Sequence, residues 1–91
     1  MKEILLFVMK GCPHCARALK LQEELLAEHP QWQEIPLRVV DERQEKALAD
    51  AYDYYYVPCY YVGDEKLHEG RAGREDIERV FQTALAGAGV P

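Results

Sequence analysis

Cys12 and Cys15 are the residues with the plainest chemical potential, two thiols separated only by Pro13 and His14. A C-x-x-C pair serves zinc ligation, haem attachment or reversible dithiol oxidation. Zinc wants a second ligand pair, and Cys59, His29 and His68 show no such spacing. Haem attachment wants a His directly after the second Cys, where Ala16 stands. Thiol–disulfide exchange remains. An apolar run precedes the pair and a helical pattern follows it, so Cys12 falls at a helix N-terminus. There, unpaired N–H groups and the helix dipole favour a thiolate. Cys15 lies one turn further in, close enough to close a short-loop disulfide. Such a pair divides the work. Cys12 attacks a disulfide and forms a mixed disulfide, Cys15 resolves it, and the reverse order makes disulfides. His14 adds an N–H donor, and at times a positive charge, beside the Cys12 sulfur.

The elements that must hold this pair read clearly. Ile4 to Met9 is a continuous apolar run, as in a strand covered on both faces, and Lys10-Gly11 breaks it. Pro13 fits the first position of a helix. Cys15, Ala18, Leu19, Leu25 and Leu26 share one face, Glu23, Glu24 and Glu28 lie outside it, and His29-Pro30 ends the helix. Ile35 to Val40 reads as a second strand. Asp41 then reads as an N-cap with Gln44 three residues on, opening a helix of about three turns through Ala47, Leu48, Ala51 and Tyr52. Cys59 to Val62 and Lys66 to Glu69 read as a hairpin around Gly63-Asp64. Ile77, Val80, Phe81, Ala84 and Leu85 mark a third amphipathic helix, and residues 87–91 a frayed tail. The order is β-α-β-α-β-β-α, an α/β fold with a mixed four-stranded sheet and three flanking helices. Its first half is a right-handed parallel βαβ unit.

The chain has 91 residues, enough for one domain, with 48% apolar and 30% charged residues. That balance excludes a disordered chain. No apolar run approaches the roughly 20 residues of a membrane-spanning helix. Eleven Lys and Arg against sixteen Asp and Glu give a net charge of −5 without a basic patch, which argues against a nucleic-acid partner. Three cysteines are an odd number for a secreted disulfide scaffold. The six-residue apolar run is short for a signal sequence and leads straight into Cys12, so a cytoplasmic location and a monomer are expected.

Other residues have blander readings. Cys59 follows Pro58 and should face away from the dithiol site into the core as a small hydrophobe, the alternative being a regulatory thiol. Some of the six tyrosines must fill core faces, and Tyr55 or Tyr56, just before Val57-Pro58, is a candidate to border a substrate groove. Trp32 is expected to cap the first helix against the sheet, and His29 and His68 to be solvent-exposed.

Cys12-Pro13-His14-Cys15 after an apolar strand, with Val57-Pro58 ahead of a later strand, resembles the thioredoxin superfamily over residues 3 to 86. The length resembles its minimal, glutaredoxin-like form. The Pro13-His14 pair is similar to the DsbA-type oxidases, whereas Gly11 and Pro13 stand where thioredoxins carry Trp and Gly. The resemblance implies a thioredoxin-like fold, a cis Pro58 opposite the dithiol, and a Val57 backbone that pairs with a bound substrate chain. The Gly70-Arg71-Ala72-Gly73 turn matches the family's loop into the last helix. Lys10, Pro13 and Arg71 follow as substrate contacts, and Lys10, Arg71 and Asp76 match the family's pattern loosely. The implied activity is a thiol–disulfide oxidoreductase acting on protein or small-molecule disulfides. It holds no cofactor and draws electrons from glutathione or from a flavin enzyme such as thioredoxin reductase. Two other readings are a glutathione-linked iron–sulfur carrier and a metal-binding or docking module of the same fold.

Overall fold

Strand β1 (Ile4–Val8) has all five residues buried, as its uninterrupted apolar run demands. The computed structural model describes residues 1–87. In it, β1 pairs in parallel with β2 (Leu37–Asp41) and antiparallel with β3 (Cys59–Val62), which pairs antiparallel with β4 (Glu65–Glu69). The sheet order is β2-β1-β3-β4. Helix α1 (Pro13–Glu28) and helix α3 (Arg74–Ala86) cover one face. Helix α2 (Lys46–Asp50) lies against the other.

Side chains alternate between these two layers, as a strand's period of two requires. Ile4, Leu6 and Val8 join Tyr60 and Val62 under α1 and α3, against Ala18, Leu25, Ile77, Val80 and Phe81. Leu5 and Phe7 join Val40, Cys59 and Tyr61 on the α2 side. Five residues of α2 are too few to cover that face, and aromatic rings complete it. Phe7 stacks on Tyr54 with ring centres 4.9 Å apart, and Tyr52 and Tyr61 lie 5.0 and 6.0 Å away.

Several sequence expectations need correction. The second helix has five residues, not three turns. Asp41 is the last residue of β2, and its carboxylate accepts the N–H groups of Arg43 and Gln44 in a turn, so the helix starts only at Lys46. β2 runs over Leu37–Asp41, later than Ile35 to Val40, because a 3₁₀ turn occupies Pro30–Glu34. That turn carries Trp32, which is buried and stacks on Phe81 of α3 at 5.4 Å and on His29 at 3.9 Å. Trp32 thus bridges to the third helix, and His29 is half-buried under it. Gly87 is ordered, its N–H donating to the Thr83 carbonyl at 3.1 Å; residues 88–91 of the expected frayed tail lie outside the described residues. Among the described residues, no helix is long and apolar enough to cross a membrane.

One buried polar pair ties α1 to the sheet. The Tyr60 hydroxyl bonds Gln22 Oε1 at 2.8 Å, and Gln22 is the buried polar residue of α1. Burial pushes the Tyr60 hydroxyl pKa up, so it stays a donor. Tyr60→Phe should destabilise the protein by about 1–3 kcal/mol, because it strands the Gln22 amide. Adding Gln22→Leu to that variant should restore much of the loss in urea unfolding. Equal stability of Tyr60→Phe and the parent would show that the pair contributes nothing.

Candidate active site

The sheet gathers the candidate residues at one end. β1 and β2 are parallel, so both finish there, at Val8 and Asp41. β3 runs the other way and starts there, with Cys59 opposite Phe7. Pro58 directly precedes Cys59 and so lies just past the last registered pair, at the same end of the sheet. β4 finishes there, with Glu69 opposite Cys59, and the Gly70 N–H donates to the Pro58 carbonyl at 2.8 Å. The dithiol loop, the Val57-Pro58 segment and the Gly70-Arg71 turn are neighbours for this reason.

The turn from β1 into α1 fixes the first thiol. Cys12 N–H donates to the Met9 carbonyl at 3.1 Å, and Gly11 sits at φ +87° in the third position of that turn. This is the type II geometry, which a β-carbon at that position would strain. Cys12 is the N-cap of α1 and Pro13 its first residue. Proline has no N–H, so the first donors of the helix belong to His14 and Cys15. The thiol closes no complete side-chain capping bond. Even so, the pKa of Cys12 is lowered, first by the Cys15 N–H; burial, next in size, opposes it, and the Cys15 thiol and the His14 N–H add to the lowering. His14 acts here through its backbone, and its imidazole is exposed.

Cys15 lies one turn in and is buried among the core residues. Burial, and secondarily the Cys12 sulfur beside it, push its thiol up to about 11. All three cysteines are free thiols. Cys59 faces the α2 side among Leu5, Phe7 and Tyr61, fully buried, and burial pushes its thiol up to about 12.

The expected substrate contacts divide into two groups. Lys10 and Pro13 are exposed and line a cleft of about 440 Å³ with Cys12, Cys15, Leu19 and Asp41. The Val57–Pro58 peptide bond is cis. Val57 is half-buried and touches both core layers, while Pro58 is buried. Arg71 is exposed, and its carbonyl meets the His68 ring at 2.8 Å. His68 is thus not free in solvent, since its ring also lies 3.7 Å from Asp76. Asp76 in turn accepts the Gly73 N–H at 2.9 Å and opens α3.

Glu69 was not singled out in the sequence. Its carboxylate accepts the N–H groups of both Tyr55 and Tyr56, the latter at 2.9 Å, and pairs with Lys66 at 2.8 Å. Lys66, then those two N–H groups, hold the Glu69 pKa down to about 2. Only a helical-type spacing to Lys66 hints at this in the sequence, and nothing there links residue 69 to the Tyr55-Tyr56 backbone.

No protein-family profile matches the chain, and no curated protein matches it. A solved structure, described as that of a malarial protein, superposes with a TM-score of 0.68 at 18% sequence identity. The match covers 91% of this chain and 96% of that one. At that identity the likeness concerns the fold alone. The described residues form an α/β protein with a four-stranded mixed sheet and three α-helices.

Two measurements check the electrostatics. Brief iodoacetamide treatment of the reduced protein near neutral pH should label Cys12 first, with Cys15 and Cys59 slow. The labelling rate of Cys12 should inflect below the 9.0 of an unperturbed thiol. First labelling of Cys15 would reverse the assignment. The second concerns alkaline stability. An unfolded thiol ionises near 9.0 and Cys59 in the fold only near about 12, so the unfolded chain holds fewer protons across that window. Stability therefore falls as pH rises through it. Cys59→Ala should show a shallower fall of its urea midpoint there than the reduced parent; parallel curves would show that Cys59 is not part of this linkage.

Proposed function

We propose that this chain is a thiol–disulfide oxidoreductase with a thioredoxin-like fold, acting on disulfides of proteins or small molecules. The observation that carries the reading is the asymmetry of the dithiol. Cys12 has a lowered pKa at a helix N-terminus, and Cys15, one turn in, is buried and raised to about 11. Zinc ligation or core packing alone gives no reason for two neighbouring thiols to be driven apart in this way. The β-α-β-α-β-β-α order and the β2-β1-β3-β4 sheet support the fold assignment.

The chemistry balances through two exchanges. The Cys12 thiolate attacks one sulfur of the substrate disulfide; a Cys12–substrate disulfide forms and the other sulfur leaves as a thiolate. Cys15 then loses its proton and attacks Cys12 Sγ, which closes the Cys12–Cys15 disulfide and releases the second substrate thiolate. The two electrons that reduce the substrate come from the dithiol. The order is built into the charges. The Cys12 sulfur helps hold the Cys15 pKa up, through its charge and through the contact between the two thiols. In the mixed disulfide that charge is gone, so Cys15 ionises more readily at the step where it is needed.

In this reading Val57 and Pro58 border the substrate, Lys10, Pro13 and Arg71 contact it, and His14 stabilises the Cys12 thiolate. The protein binds no cofactor and works as a cytoplasmic monomer. Glutathione or a flavin reductase returns it to the dithiol.

Turnover of a protein disulfide, assayed once with glutathione and once with thioredoxin reductase, tests the proposal and identifies the reductant. Cys12→Ser should reduce the rate to background with both. Cys15→Ser should accumulate a mixed disulfide through Cys12, visible by mass spectrometry. Full activity in Cys12→Ser, or no turnover by the parent with either reductant, would refute it.

A further inference from the structure

Tyr55 and Tyr56 are the most exposed of the large hydrophobic side chains among the described residues, at 86% and 69%. Exposed tyrosines on a loose loop would say little, but this loop is held at several points. Glu69 accepts both of their N–H groups and is itself paired with Lys66. The Asp53 carbonyl accepts the Tyr61 hydroxyl at 2.6 Å and the Lys66 ammonium at 3.3 Å. The Tyr54 ring stacks on Phe7, and its hydroxyl donates to Glu42 at 2.8 Å. The backbone is therefore fixed while two rings stand in water directly before Val57.

The two residues also border different features of that edge. Tyr55 lines a groove of about 510 Å³ with Glu42, Arg43, Lys46 and Tyr52, on the α2 side. Tyr56 lies on the side of the Gly70 turn, where a side chain on Gly70 would begin 3.8 Å from the Tyr56 Cβ. A ligand lying along Val57 would meet one ring on each flank. Rigid aromatic anchors of this kind contribute large contact area at low entropic cost, and Tyr is enriched in binding hot spots.

We propose that Tyr55 and Tyr56 are a specificity pair that selects a disulfide carried within a polypeptide, apolar on both sides of its cysteine, over a small free disulfide. This rests on the oxidoreductase reading and names its substrate class. An extended chain alongside Val57 places residues on both flanks of the reacting cysteine, each against one ring. A small disulfide reaches one flank at most. Continuity of the rings with the Val57 edge favours such a chain as the occupant over a second copy of the protein.

The test compares three oxidised probes: a short peptide disulfide with Leu on both sides of Cys, the same peptide with Gly there, and hydroxyethyl disulfide. The parent should favour the Leu peptide over the Gly peptide by about tenfold in kcat/KM, carried mainly by KM; tenfold corresponds to about 1.4 kcal/mol. Tyr55→Ala/Tyr56→Ala should erase that preference, and Tyr55→Phe/Tyr56→Phe should keep it. The proposal is overturned by equal parent rates for the two peptides or by a preference that survives in the double Ala variant. An equal loss on all three probes would also overturn it, since the rings would then serve only folding. So would a parent dimer that becomes monomeric on sizing the Ala variant. If the parent turns over none of the probes, the oxidoreductase reading falls and this one with it; a parent active on hydroxyethyl disulfide without peptide preference sinks this one alone.

Discussion

One helical turn separates a thiol in the field of the α1 N-terminus from a thiol inside the core, and the dithiol's asymmetry depends on that turn staying in place. Pro13 matters here by what it lacks. A residue with an N–H at the first helical position would offer Cys12 a third donor, but proline instead presets the helix and leaves the donors of His14 and Cys15 as the first in line. Gly11 sets the phase. With φ at +87° it lets the chain turn from the end of β1 into the first turn of α1 without a loop of its own.

The sheet makes this local arrangement into a site. β1 is a central strand with different partners on each side, parallel to β2 and antiparallel to β3. Its register places the last residues of β2 and β4 and the approach to β3 at the end where β1 delivers Cys12. A one-residue slip would turn Leu5 and Phe7 to the α1 side and Ile4, Leu6 and Val8 to the other, against two cores of different shape. The apolar packing of both faces therefore locks the position of Pro58 relative to the dithiol, although neither Pro58 nor Cys12 is the source of that packing.

Much of this was legible in the sequence, for reasons that differ by element. β1, α1 and α3 have long, one-sided patterns, and tertiary packing agrees with them. The dithiol was legible because proline, cysteine spacing and a helix start coincide in four residues. The second helix was not. Ala47, Leu48, Ala51 and Tyr52 have helical spacing, yet Asp41 spends its carboxylate on a turn, and Tyr52 is drawn to Phe7. The Pro30–Glu34 turn has no periodicity to read, and its Trp32 answers to Phe81, far along the chain. Pro58 was legible only through a family resemblance, since nothing local says which strand end it will meet. Glu69 was illegible because its partners are backbone groups thirteen and fourteen residues away, brought to it by the β3–β4 register.

That same register explains why the fold can leave α2 so short. A longer helix would cover Phe7, Cys59 and Tyr61 by itself and leave the following segment free to vary. Here the segment from Tyr52 to Val57 does the covering, with Tyr52 and Tyr54 against Phe7 and Val57 between the two layers. Its neighbours Tyr55 and Tyr56 stand exposed, on the bend that leads into Pro58. The Glu69 carboxylate meets the two N–H groups that this geometry orphans and keeps the segment against the sheet. Sealing the second core and presenting the edge before Pro58 are consequently one task for one stretch of chain, and a change to either is felt by the other.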